Sequence, residues 1–141
     1  MSSSAVVPFP APAARAAPVI VVEADDGTRT LISEVLAGGG LEVLPTSNGI
    51  EALAAIRLLD RRPPAAIVVD ASLPVMDARA FLRAYRREPG PHAPVVVLAD
   101  DPAHCLPEPA GDVVVLPKPF DPEELLAVVQ RLMKKQPAAG C

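Results

Sequence analysis

Short apolar runs alternate along the chain with segments of helical period. Val19-Ile20-Val21-Val22 is a continuous β-branched run, as expected of a strand buried on both faces. Asp26 is placed to cap a helix whose Leu31, Ile32, Val35 and Leu36 follow a 3.6-residue spacing, and Gly38-Gly39-Gly40 stops it. Leu41–Leu44 reads as a second strand, and Ser47 or Asn48 caps a helix carrying Leu53, Ile56 and Leu59. Ala66–Val69 is a third strand ending at Asp70, followed by a helix over Asp77–Glu88 with Phe81, Leu82 and Tyr85 facing inward. Pro94–Leu98 and Val113–Leu116 supply two more strands. Asp121, Pro122 and Glu124 then have the cap, first-turn proline and capping-box spacing of a last helix, with an apolar stripe from Leu125 to Met133. Strands alternating with helices predict an α/β fold, a five-stranded parallel sheet covered by helices on both faces.

Proline placement sets the boundaries. Residues 1–17 are mostly Ala, Ser and Pro and read as a disordered leader; 137–141 read as a flexible tail, leaving 18–136 as one folded domain. Pro102, Pro107 and Pro109 crowd the stretch between the last two strands, so a fourth helix there is expected to be reduced or missing. Thirteen basic against seventeen acidic residues give a net charge of −4, which argues against a nucleic-acid partner. No apolar run approaches the ~20 residues of a membrane span, and no basic segment precedes one at the N-terminus. A cytoplasmic protein without membrane association is expected. Cys105 and Cys141 suggest neither a metal site nor a disulfide framework.

In an open parallel sheet, chemistry gathers at the carboxyl ends of the strands. Glu23, Ala24, Asp25 and Asp26 follow the first strand, Asp70 ends the third, Ala99 and Asp100 follow the fourth, and Lys118 follows the fifth. Carboxylates there suit Mg²⁺, which takes oxygen ligands and keeps several waters, and a nearby lysine suits a phosphoryl group.

Four local patterns then occur in order: the acidic cluster after Val22, Asn48-Gly49-x-Glu51-Ala52-Leu53, Asp70-x-x-Leu73-Pro74-x-Met76-Asp77, and Lys118-Pro119-Phe120. Together they resemble the receiver domain of two-component response regulators over essentially all of residues 18–136. The resemblance implies a flavodoxin-like (βα)5 fold with strand order 2-1-3-4-5. It implies that Asp70 is the phosphoacceptor and Lys118 the phosphate contact, and that Mg²⁺ is held by Glu23, Asp70 and the Ser72 backbone carbonyl. A sensor histidine kinase or phosphotransfer protein is the implied donor, and a downstream protein the implied receiver of the signal, with no enzymatic output of its own.

Three positions depart from the family pattern. Ala24 stands where the second acidic ligand is expected, which implies a weakly held metal unless Asp25 substitutes; Ala99 replaces a phosphate-binding Ser or Thr; Val115 replaces the switch aromatic. Two functions stay open: a stand-alone receiver controlled by phosphate on Asp70, and a degenerate pseudo-receiver that is a phosphorylation-independent interaction module. The arginines Arg79, Arg83, Arg86 and Arg87 read first as a solvated helix face, with a docking patch for an acidic partner as the sharper alternative.

Overall fold

A computed structural model of the 141-residue chain describes residues 17–59, 62–101 and 113–135. The strands are β1 (Val19–Val22), β2 (Val43–Thr46), β3 (Ala66–Asp70), β4 (Val95–Ala99) and β5 (Val113–Pro117). The helices are α1 (Asp26–Gly38), α2 (Gly49–Arg57), α3 (Ala78–Arg86) and α4 (Pro122–Lys135). All strand pairs are parallel, in the order β2-β1-β3-β4-β5. This is the fold expected from the alternating pattern and from the receiver resemblance. The leader to residue 16, the tail 137–141 and the stretch expected to lack a full fourth helix (102–112) lie outside the described residues.

Side-chain alternation along the strands sorts the core into two layers. Val19 and Val21 pack with Ile32 and Leu36 of α1 and with Leu125, Val128 and Val129 of α4. Ile20 and Val22 face the other way, onto Ala52, Leu53 and Ile56 of α2 and Phe81, Leu82 and Tyr85 of α3. The central strands β1 and β4, and β3 up to the Asp70 that ends it, are therefore apolar at every position, because both of their faces are covered. Gly40 takes φ +90° after α1, and a Cβ on Gly39 would stand 2.7 Å from the Leu126 side chain, so the glycine run both turns the chain and lets α1 approach α4.

Three local expectations are corrected. The second strand runs over Val43–Thr46 rather than Leu41–Leu44, and it includes Pro45. β2 is an edge strand: the Val19 N–H donates to Glu42 O and the Glu23 N–H to Thr46 O, so Pro45 faces outward, where no ladder donor is needed. Leu41 instead packs into the α1–α4 layer. The cap of α1 is Asp25, not Asp26, and α3 closes at Arg86, two residues short of Glu88.

The loop after β3 holds a strained residue that the sequence pattern did not single out. Val75 adopts φ +69° and is 85% exposed, a conformation that crowds a β-branched side chain. Ala78, three residues on, is the ordinary first residue of α3 and fully buried. Left-handed backbone costs an L-residue about 1–2 kcal/mol, and glycine gives back part of that through unfolded-state entropy. Val75→Gly is thus expected to stabilise the protein by about 0.5–1 kcal/mol, read as a rise in urea midpoint at unchanged slope.

Candidate functional site

The strand order reverses between β1 and β3, so the crevice at their carboxyl ends is the place where loops part. Glu23 follows β1 directly, and its N–H still bonds to Thr46 O at 3.0 Å, which fixes its side chain over the edge of the sheet. Asp70 is the last residue of β3, in register with Leu98. Lys118 follows β5 and is tied to β4 by its N–H bond to Ala99 O at 2.9 Å. Three strand ends thereby bring one residue each to a common point.

At that point Lys118 Nζ donates to Asp70 Oδ1 at 2.8 Å, and the Ser72 N–H donates to the same oxygen at 3.0 Å. The Asp70 side chain is 10% exposed and that of Lys118 24%. Glu23, 4% exposed, lies beside Asp70 and accepts the Asp25 N–H on Oε2 at 3.0 Å. Two buried carboxylates thus share one ammonium. Burial raises the Glu23 pKa above its usual 4.5, and the neighbouring Asp70 charge and hydrogen bond push the same way, against the Asp25 N–H and Lys118. Burial works to lower the Lys118 pKa, but the Asp70 hydrogen bond and the Asp70, Asp100 and Glu23 charges outweigh it and hold the ammonium protonated above 10.5. An open cleft lined by Ala71, Ser72, Asp77, Arg79, Ala99, Asp100 and Asp101 adjoins the cluster.

The structure does not bring every candidate to this point. The Asp25 carboxylate is exposed and committed to α1, where Oδ2 accepts both the N–H and the hydroxyl of Thr28 at 2.8 Å; these bonds lower its pKa. It therefore serves as the cap of α1. Among the described residues, no group of three acidic, His or Cys side chains stands where it could hold a metal ion. Ala99 is buried against the cleft and offers no hydroxyl, while Val115 is half-buried against the α2–α3 layer.

Arg29 went unassigned in the sequence. Its Nη1 donates to Glu23 O at 2.9 Å and to Ala24 O at 3.4 Å, and its Nη2 pairs with the Asp26 carboxylate. It clamps the loop that carries Glu23. The sequence signal was a lone basic residue one helical turn after the Asp25 cap, in a segment otherwise acidic.

The electrostatics give a signed prediction. A carboxylate whose folded pKa is raised costs stability once it ionises, so the penalty from Glu23 is present above its folded pKa and vanishes below the ordinary carboxylate value of 4.5. Glu23→Gln is expected to melt several degrees higher than wild type at pH 7, with the two converging below pH 4.5. Melting curves at pH 4, 5, 6 and 7 check it; equal separation at every pH contradicts it.

Comparison with known proteins identifies the family. The family described as the response regulator receiver domain matches residues 19–130. The DNA-binding transcriptional regulator NtrC of Salmonella typhimurium is 34% identical over 116 residues, covering 80% of this chain and 24% of the relative. This chain therefore spans about a quarter of that relative's length. Among solved structures, the chemotaxis response regulator CheY4 of Vibrio cholerae superposes with TM-score 0.67 at 28% identity, covering 84% of this chain and 99% of the other. The receiver domain of sensor histidine kinase PA1611 from Pseudomonas aeruginosa PAO1, solved with a magnesium ion coordinated in its active-site cleft, reaches TM-score 0.71 at 28% identity over 86% of this chain and 100% of its own. Fold, strand-end cluster and matched span converge on one conclusion: the chain belongs to the response regulator receiver domain family of two-component signalling.

Proposed function

We propose that this receiver domain accepts a phosphoryl group on Asp70 from a sensor histidine kinase or phosphotransfer protein and passes the signal on through protein contact. The observation that carries this reading is the 2.8 Å bond between Lys118 Nζ and Asp70 Oδ1 at the carboxyl edge of the sheet. With Oδ1 held by Lys118 and the Ser72 N–H, Oδ2 is the oxygen that attacks phosphorus. A P–O bond forms, the P–N bond of the phosphohistidine breaks, and the imidazole leaves. Lys118 is then within reach of the new phosphoryl oxygens, and its raised pKa keeps it charged throughout the physiological range.

The donor set fits a weakly held Mg²⁺. Two buried carboxylates beside one ammonium leave excess negative charge. Glu23, Asp70 and the Ser72 carbonyl would hold the ion, with water completing the shell. When bound, Mg²⁺ neutralises charge that develops on the transferring oxygens.

Ala24 and Ala99 favour a second reading. Each removes one family contact, to metal and to phosphate respectively, so the same fold serves as a phosphorylation-independent interaction module. A hydrogen bond to a charged oxygen contributes about 1.5–3 kcal/mol, so losing the hydroxyl at Ala99 blunts the difference between phosphorylated and free states. Amide spectra recorded with Mg²⁺ and beryllofluoride separate the readings. Shifts that start at Asp70 and Lys118 and reach β5 support phosphate control; unchanged spectra support the module.

A further inference from the structure

We infer that the outer face of α3 is a docking surface for an acidic amphipathic helix of a partner protein. Arg79, Arg83, Arg86 and Arg87 are all exposed and fall within an arc of about 100°, a stripe about 12 Å long. The opposite face of the same helix buries Ala78, Phe81, Leu82 and Tyr85, so the stripe is rigidly mounted on the core.

What distinguishes the stripe from an ordinary solvated face is its lack of compensation. Among the described residues none of these arginines has a carboxylate partner, whereas Arg57 on neighbouring α2 is paired with Glu88 through both Nε and Nη2. Arg79–Arg83 and Arg83–Arg87 are like-charge pairs four residues apart, and Arg83–Arg86 is one at three; each is mutually repulsive. Arg79 also sits in the first turn, where the helix dipole disfavours a cation, and that turn holds no acidic residue beyond the Asp77 cap, whose carboxylate accepts the Ala80 N–H. Among the described residues no ion pair offsets this repulsion between the arginines, and carboxylates laid along the stripe relieve it.

Charge complementarity chooses the occupant. The chain as a whole carries −4, so an extended polyanion such as duplex DNA or an anionic membrane is repelled beyond the reach of the stripe. A single helix with glutamates at i, i+4, i+7 and i+8 concentrates its charge over the same rise and meets the planar guanidinium groups two oxygens at a time. This inference deepens the proposed interaction role by naming its surface, and it does not depend on phosphoryl transfer.

The test titrates the full chain with a fluorescein-labelled helical peptide bearing glutamates in that register and with a peptide of the same composition in scrambled order. The wild type is expected to bind the registered peptide about tenfold tighter than the scrambled one, with affinity falling as salt rises. Arg83→Gln/Arg87→Gln loses that preference, while Arg131→Gln on α4 and Asp70→Asn keep it; failure of phosphoryl transfer therefore leaves this result untouched. Equal binding of the two peptides overturns the inference. So does tighter binding to a short DNA duplex or to phosphatidylserine vesicles, or salt-sensitive self-association that the double variant abolishes.

Discussion

Lys118→Ala is expected to lower stability at pH 7 by about 2 kcal/mol, because removing one partner leaves buried charge uncompensated. The loss falls below the fully buried case because the lysine side chain is 24% exposed. Its removal leaves Glu23 beside Asp70 without the ammonium that bonds to Asp70. Glu23, whose pKa burial already raises, then loses the Lys118 charge that opposes that rise. The deficit is therefore full at neutral pH and shrinks as pH falls toward 4.5, the usual glutamate value. Mg²⁺ can take the place of the missing charge. Millimolar Mg²⁺ should raise the melting temperature of Lys118→Ala more than that of wild type, since the stabilisation follows ligand affinity. Thermal melts at pH 5 and 7, with and without Mg²⁺, read all of this, and an equal Mg²⁺ response in both proteins contradicts it.

Ala24→Asp is expected to tighten Mg²⁺ binding by at least about tenfold, since a further carboxylate at the site would add attraction for a divalent ion even at an effective dielectric of about 20. The neighbouring Asp25 does not supply this charge, because its carboxylate is bound to Thr28 at the start of α1. Arg29 holds the carbonyls of Glu23 and Ala24, so the loop is fixed independently of the side chain at position 24. Calorimetric titration of wild type and variant with Mg²⁺ checks the prediction, and unchanged affinity shows that position 24 does not face the ion.

The sheet was legible in the sequence because parallel strands covered on both faces must be apolar at every position, as Val19–Val22 and Val95–Leu98 are. The convergence of Glu23, Asp70 and Lys118 was legible for a related reason: each directly follows or ends a strand, and strand ends meet at one edge. The boundaries of β2 were not, because Pro45 reads as a strand breaker until it is known that the strand lies at the edge with that position facing out. The sequence places the cap of α1 one residue late, at Asp26, because adjacent aspartates look alike there; the bonds to Thr28 select Asp25. The strain at Val75 left no trace, since nothing in Pro74-Val75-Met76 marks a left-handed residue.

We propose that Asp70, held by Lys118, accepts a phosphoryl group. Intact mass after incubation with Mg²⁺ and acetyl phosphate tests it most directly, with Asp70→Asn alongside. The account predicts that the wild type gains the mass of one phosphoryl group, that Asp70→Asn gains none, and that chelation of Mg²⁺ abolishes the gain. No mass increase in the folded wild type, or the same increase in Asp70→Asn, contradicts the claim.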